Sequence, residues 1–97
     1  VPLNGKQRRQ LRALGHHLTA VVQVGAAGVT DGVIAATDRA LEDHELVKVK
    51  IAAEREERAR AVAALVKATG SEVAQTLGRT VLLWRKRKKM SKIELVD

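Results

Sequence analysis

Leu46-Val47-Lys48-Val49-Lys50-Ile51 alternates apolar and basic residues with period two, the pattern of a strand with one buried and one wet face. Val47, Val49 and Ile51 share the apolar side; Lys48 and Lys50 share the other. Such a strand belongs to a sheet covered by helices on one side and open to solvent on the other. Working back toward the N-terminus, Val33, Ile34, Thr37, Ala40, Leu41 and His44 recur at helical spacing. They predict a helix over about 31–44, with Thr30 as N-cap and Asp31 complementing its dipole. Ala20–Val24 reads as a short buried strand ending at Gly25-Ala26-Ala27-Gly28. Before it, Asn4 and Gln7 have capping-box spacing, and Leu3, Gln7, Leu11 and Leu14 share one arc of a helix over about 4–15. Gly15 is the expected terminator.

Working forward, Ala59, Val62, Leu65, Val66 and Thr69 make the apolar stripe of a third helix from about Glu54, closed by Gly70. Its mixed-charge start, Glu54–Arg60, reads as a solvated face. Ser71–Leu77, the turn Gly78-Arg79 and Thr80–Arg85 form a predicted hairpin. The fold class is therefore α+β, in the order α-β-α-β-α-β-β. Its two-layer arrangement holds a four-stranded mixed sheet, with the hairpin supplying the antiparallel member. Residues 1–86 make one domain, and the basic run 87–97 is an expected disordered tail, with Ile93, Leu95 and Val96 as its only aliphatic residues, available for weak docking.

The 97 residues carry 18 Lys plus Arg against 11 Asp plus Glu, one aromatic residue and no cysteine. With no cysteine there is no disulfide, thiolate metal site or cysteine nucleophile. That composition fits a cytoplasmic protein, which is the expectation. No apolar run approaches the ~18–20 residues of a membrane span. The net charge of +7 points to a polyanionic partner. Residues 1–12 hold four basic residues and no acid, 13–84 hold eight basic and nine acidic, and 85–97 hold six basic and two acidic. The excess lies at the two ends.

Two features could form a site. The glycine loop Gly25–Gly28 turns tightly with its amides exposed before a helix N-terminus, a geometry that can receive a phosphate. Tight strand–helix turns also use glycine for steric reasons alone. The spacing is neither a Walker A nor a dinucleotide motif. The basic candidates are Lys6, Arg8, Arg9 and Arg12, the sheet lysines Lys48 and Lys50, and Lys86, Arg87 and Lys88. One aromatic, Trp84, is too few for the stacking surfaces of RRM or OB domains. Recognition of backbone and shape fits better, and structured RNA better than single strands. Catalysis has little support. His16 and His17 are expected to diverge, and Asp38, Glu42, Asp43 and Glu45 read as a solvated helix end. The chain is expected to be a non-enzyme with no cofactor and no metal.

Four segments occur in one order: LRALGH (Leu11–His16), VVQVGAAGVT (Val21–Thr30), HELVKVKI (His44–Ile51) and GRTVLLWR (Gly78–Arg85). Together they closely resemble the CRM domain (chloroplast RNA splicing and ribosome maturation), in particular its stand-alone bacterial YhbY-type form, over residues 3–86. The resemblance implies a fold similar to the C-terminal domain of translation initiation factor three. It also implies RNA binding and association with precursors of the large ribosomal subunit. The RNA contacts it implies are Gly25, Ala26, Ala27 and Gly28, with Lys48, Lys50, Arg79 and Arg85 as matching basic positions. Two positions depart from the family. The loop interior, often polar or lysine-bearing, is Ala26-Ala27, and the last strand's usual Tyr is Trp84.

The expected partner is thus RNA, specifically rRNA of the precursor large subunit, bound by a monomer. The alternatives are a protein-interaction module using the apolar residues near Trp84 and the tail, and a non-specific duplex nucleic-acid binder. A salt titration separates them. If about six cations neutralise phosphates, log affinity falls steeply with log salt; an apolar interface gives a shallow slope, and a duplex binder takes DNA and structured RNA equally. Gly28→Asp is further expected to weaken RNA binding with the fold intact.

Overall fold

Asn4 opens the first helix as predicted: its side chain accepts the Gln7 N–H at 2.8 Å while Gln7 Oε1 accepts the Asn4 N–H at 3.0 Å. The computed structural model describes residues 2–97, Val1 lying outside them. The elements are α1 (Gly5–Gly15), β1 (Ala20–Val24), α2 (Asp31–His44), β2 (Leu46–Ile51), α3 (Arg55–Thr69), β3 (Glu72–Leu77) and β4 (Thr80–Trp84). Thr30 caps α2 by accepting the Val33 N–H at 3.2 Å, and Gly70 closes α3 in the left-handed region. The α-β-α-β-α-β-β order and the mixed four-stranded sheet agree with the sequence reading.

The strand order is β1-β2-β4-β3. β1 and β2 are parallel, whereas β4 runs antiparallel to both β2 and β3. The β1-α2-β2 and β2-α3-β3 crossovers therefore step across the sheet in one direction, which places α2 and α3 on the same face. There Val47, Val49 and Ile51 join Val22, Val24, Val81 and Leu83 beneath Leu41 of α2 and Leu65 of α3. Leu41 and Leu65 are fully buried, so truncating either to alanine costs about 2–5 kcal/mol.

The opposite face is less open than the lysine alternation suggests. Leu3 and Leu11 bury against Leu46, Ala74 and Leu82, so α1 covers one end of that face. Lys48 is half-buried and Lys50 exposed, which confines the open surface to the other end. Gly15 is the last residue of α1, as expected, but it is not a left-handed cap: His16 is the C-cap, and Gly15 serves the packing. A Cβ on Gly15 would lie 2.6 Å from Leu82 Cδ2, so glycine lets α1 approach the sheet. His16 and His17 do not diverge: just past the helix their rings meet edge-on, centroids 5.2 Å apart.

Two further expectations fail together. Glu45 is not solvated, and residues 87–97 are not detached. Glu45 is fully buried at the exit of α2, with φ 64°. Its carboxylate accepts the backbone N–H groups of Arg87 (2.9 Å), Ile93 (2.8 Å) and Lys92, and the Ser91 hydroxyl (2.8 Å). The C-terminal segment has no regular structure, yet Ile93 and Leu95 pack on the second core. Gln7 and Gln10 of α1 bind it through the Val96 and Glu94 carbonyls at 3.0 and 2.8 Å. A basic composition predicts disorder because it counts side chains; here main-chain donors meet a buried acceptor.

Burial alone would raise the Glu45 carboxyl pKa, but the hydrogen bonds from Arg87, Ile93, Ser91 and Lys92 outweigh it and hold the group below its ordinary value. The folded carboxyl thus takes up its proton less readily than the unfolded one. Its stabilisation is complete above the ordinary carboxylate range and disappears as pH falls through the lowered value. Amide exchange should show the Lys92 and Ile93 protons unprotected below that point. Glu45→Gln, which turns an N–H₂ group toward N–H donors, should cost about 1.5–3 kcal/mol in denaturant unfolding and expose the same amides at neutral pH.

Candidate nucleic-acid interface

The glycine loop, the β2–α3 connection and the hairpin turn meet at one end of the sheet. The Ala52 N–H donates to the Val24 carbonyl at 3.0 Å, and the Ile51 N–H donates to the Arg79 carbonyl at 2.8 Å. These bonds carry the sheet past its last residues and hold the loop and the turn about one strand spacing, ~4.8 Å, on either side of β2. Lys50 stands in register with Gln23 of β1 and Thr80 of β4, exposed between them.

Gly25–Gly28 is a four-residue turn closed by the Gly28 N–H on the Gly25 carbonyl, 3.0 Å. Gly28 has φ +76°, where a side chain strains the backbone. Its amide is spent in the turn. The adjoining helix end is also occupied, since Thr30 caps it and Asp31 supplies negative charge in its first turn. The exposed residues Gly25, Ala26 and Ala27 donate their N–H groups to no protein acceptor among the described residues, and these are the amides left for an anion. A carboxylate at position 28 would change the turn as well as the charge, so position 27 is the cleaner probe.

The other basic candidates divide. Arg79 is exposed beside the loop end, and both it and Lys50 lack a carboxylate partner, because among the described residues both ion pairs belong to Arg85. The Arg85 guanidinium bonds Asp38 Oδ1, the Thr69 carbonyl (2.8 Å), the Asp38 carbonyl (3.0 Å) and Glu42 Oε2 (3.4 Å). It ties β4 to the ends of α2 and α3 and has little left for a phosphate. Lys6, Arg8, Arg9 and Arg12 line the outer surface of α1, over the second face. Lys86, Arg87 and Lys88 lie beyond β4, at the end away from the loop. Of these, Arg87 donates to the Met90 and Asp43 carbonyls at 2.9 and 3.1 Å.

The structure therefore brings together Ala26, Ala27, Lys50 and Arg79, and sets the terminal cations apart. Two basic residues that composition hid stand apart from this group: Arg55 and Arg58 line a separate cleft with Arg79, on the α3 side of the sheet and opposite the face that carries Lys50. Helical phase was the signal that could have found them, since 55, 58, 59 and 62 form one stripe.

The chain, taken as a whole, has known relatives. The CRS1 / YhbY (CRM) domain description matches residues 3–85. The chain belongs to the CRM domain family. YqeI of Bacillus subtilis, named a probable RNA-binding protein, is 46% identical over 94 residues, covering 96% of this chain and 98% of that one. A protein of Haemophilus influenzae named RNA-binding protein is 43% identical over 84 residues, covering 86% and 85%. The solution structure of SAV1595 from Staphylococcus aureus superimposes with TM-score 0.83 at 34% identity, covering 97% of this chain and 99% of that one.

Within this CRM domain the basic residues should separate by experiment. Arg85→Ala is expected to lower unfolding stability by about 1–2 kcal/mol, through lost hydrogen bonds to helix carbonyls and a small ion-pair contribution. Lys50→Ala and Arg79→Ala should leave stability within about 0.5 kcal/mol while each reduces the salt slope of nucleic-acid binding by about one phosphate.

Proposed function

We propose that this CRM domain binds structured RNA of the precursor large ribosomal subunit and assists its assembly, acting as a cytoplasmic monomer and not as an enzyme. The observation that carries the reading is the set of free loop amides, Gly25, Ala26 and Ala27, beside exposed and unpaired Lys50 and Arg79. An amide turn receives a phosphate oxygen, and flanking cations add charge without selecting a base. Backbone reading of this kind suits folded RNA. The terminal basic residues supply long-range attraction, which raises the encounter rate. The names of the two relatives and the implied ribosomal role of the family point the same way.

The apolar groups on which the protein-interaction alternative relied are partly engaged: Trp84, Ile93 and Leu95 pack against the second core, while Val96 stays exposed. Trp84 is likewise unsuited to be a stacking platform while it fills that position.

Ala27→Asp tests the reading directly. A carboxylate at the anion seat, at a residue with no positive φ, is expected to weaken structured-RNA binding about tenfold or more while leaving the unfolding midpoint unchanged. Unchanged affinity in the folded variant removes the loop from the interface. Sedimentation of the tagged protein with ribosomal particles, followed by crosslinking, tests the assembly role: recovery with precursor large subunits supports it, and recovery only in free fractions overturns it.

A further inference from the structure

The start of α3 holds a group of arginines that the charge-neutral sequence around it conceals. Glu54, Glu56 and Glu57 alternate with Arg55, Arg58 and Arg60, so by composition the segment is a solvated face. Helical phase sorts it differently. Arg55, Arg58, Ala59 and Val62 line a cleft of about 330 Å³ against the hairpin turn, and the three glutamates are not among its walls. Arg79 stands on the hairpin side, and Ala59 and Val62 give the cleft its accessible apolar floor, with Ile51 and Val81 buried behind them. Three guanidinium groups thus border one cleft from two elements, with no carboxylate ion pair among the described residues. One of them is fixed in place: Arg58 donates to the Ala53 carbonyl at 2.8 Å.

We propose that this cleft receives one unpaired nucleotide of the bound RNA, its base over the apolar floor and against a guanidinium plane, its phosphate on the remaining arginine N–H groups. The inference rests on the RNA-binding reading and adds to it a means of recognising an unpaired position. An arginine cluster alone would suit any anion. The apolar floor favours a ligand with a flat, weakly polar part attached to the charge, and bases stack on arginine planes as they do on aromatic rings. A chain with a single aromatic residue, already used in its core, has this route to base contact and lacks the usual one. Adjacency favours RNA over an acidic peptide. Arg79 and Val24, the residue before the glycine loop, are bonded to consecutive residues at the end of β2, so a strand held at Ala26 and Ala27 passes the cleft within a short reach.

The test uses two RNAs, a fully paired duplex and the same duplex with one bulged nucleotide, and three forms of the full chain. The wild type should bind the bulged RNA about tenfold tighter. Arg55→Lys/Arg58→Lys keeps both charges and the helix but removes the planar groups. It should bind the paired duplex as the wild type does, with the same salt slope, and lose the preference for the bulge. Arg55→Lys alone, which leaves the Arg58 hydrogen bond intact, should lose part of that preference. Ala27→Asp should weaken binding to both RNAs equally. Equal wild-type affinity for the two RNAs overturns the cleft proposal and leaves the RNA-binding reading standing. A preference that survives in the double variant overturns it as well, and failure of the wild type to bind either RNA overturns both.

Discussion

One buried carboxylate organises half of this molecule. Glu45 sits in a backbone conformation that L residues rarely adopt, φ 64°, at a cost of order 1–3 kcal/mol. The surroundings hold it there from every side. Its N–H closes α2 on Leu41 at 2.8 Å, its carbonyl receives the Arg85 N–H at 2.9 Å, and its side chain collects four donors from the C-terminal segment. An uncompensated charge could not stay buried. With those donors it fastens the end of α2, the end of β4 and the last residues together. The same segment then reaches α1 through Gln7 and Gln10, so both chain ends are joined over the second face.

Much of this was legible in the residues, for specific reasons. LVKVKI announced a strand because one face meets a core and the other does not. Asn4, Thr30 and Gly70 marked helix ends because their groups satisfy orphan backbone atoms. What stayed hidden depends on partners distant in the chain. Arg85 looks like a phosphate ligand until Asp38 and Glu42 come within reach of it. Glu45 looks like one more surface acid until residues 87–93 turn their amides toward it. Gly15 looks like a terminator alone until Leu82 is placed above it. The lysine alternation also misjudged the face opposite α2 and α3, since the few apolar residues of α1 and the tail suffice to cover one end.

The basic charge follows the same division. By number, the cations belong to the two termini of a nearly neutral body. By position, the glycine loop shares its end of the sheet with basic residues of the body, Lys50 on one face and Arg79 in the hairpin turn. Screening keeps the two populations from acting as one, because an exposed charge's influence fades beyond ~8–10 Å. A sum over the sequence cannot tell these two populations apart.

The strand order carries a consequence for how the molecule is made. β4 is last in the chain but lies inside the sheet, between β2 and β3. A nascent chain that has produced β1, β2 and β3 therefore has no complete sheet, because the strand that joins them has not yet been synthesised. Completion pairs β4 locally with β3 through the Gly78-Arg79 turn and at long range with β2, and the long-range pairing is slow relative to helix formation. The hairpin turn enters in that step and brings Arg79 to the loop and the lysines already on β2. The juxtaposition of Lys50, the glycine loop and Arg79 therefore arrives with the closing of the sheet.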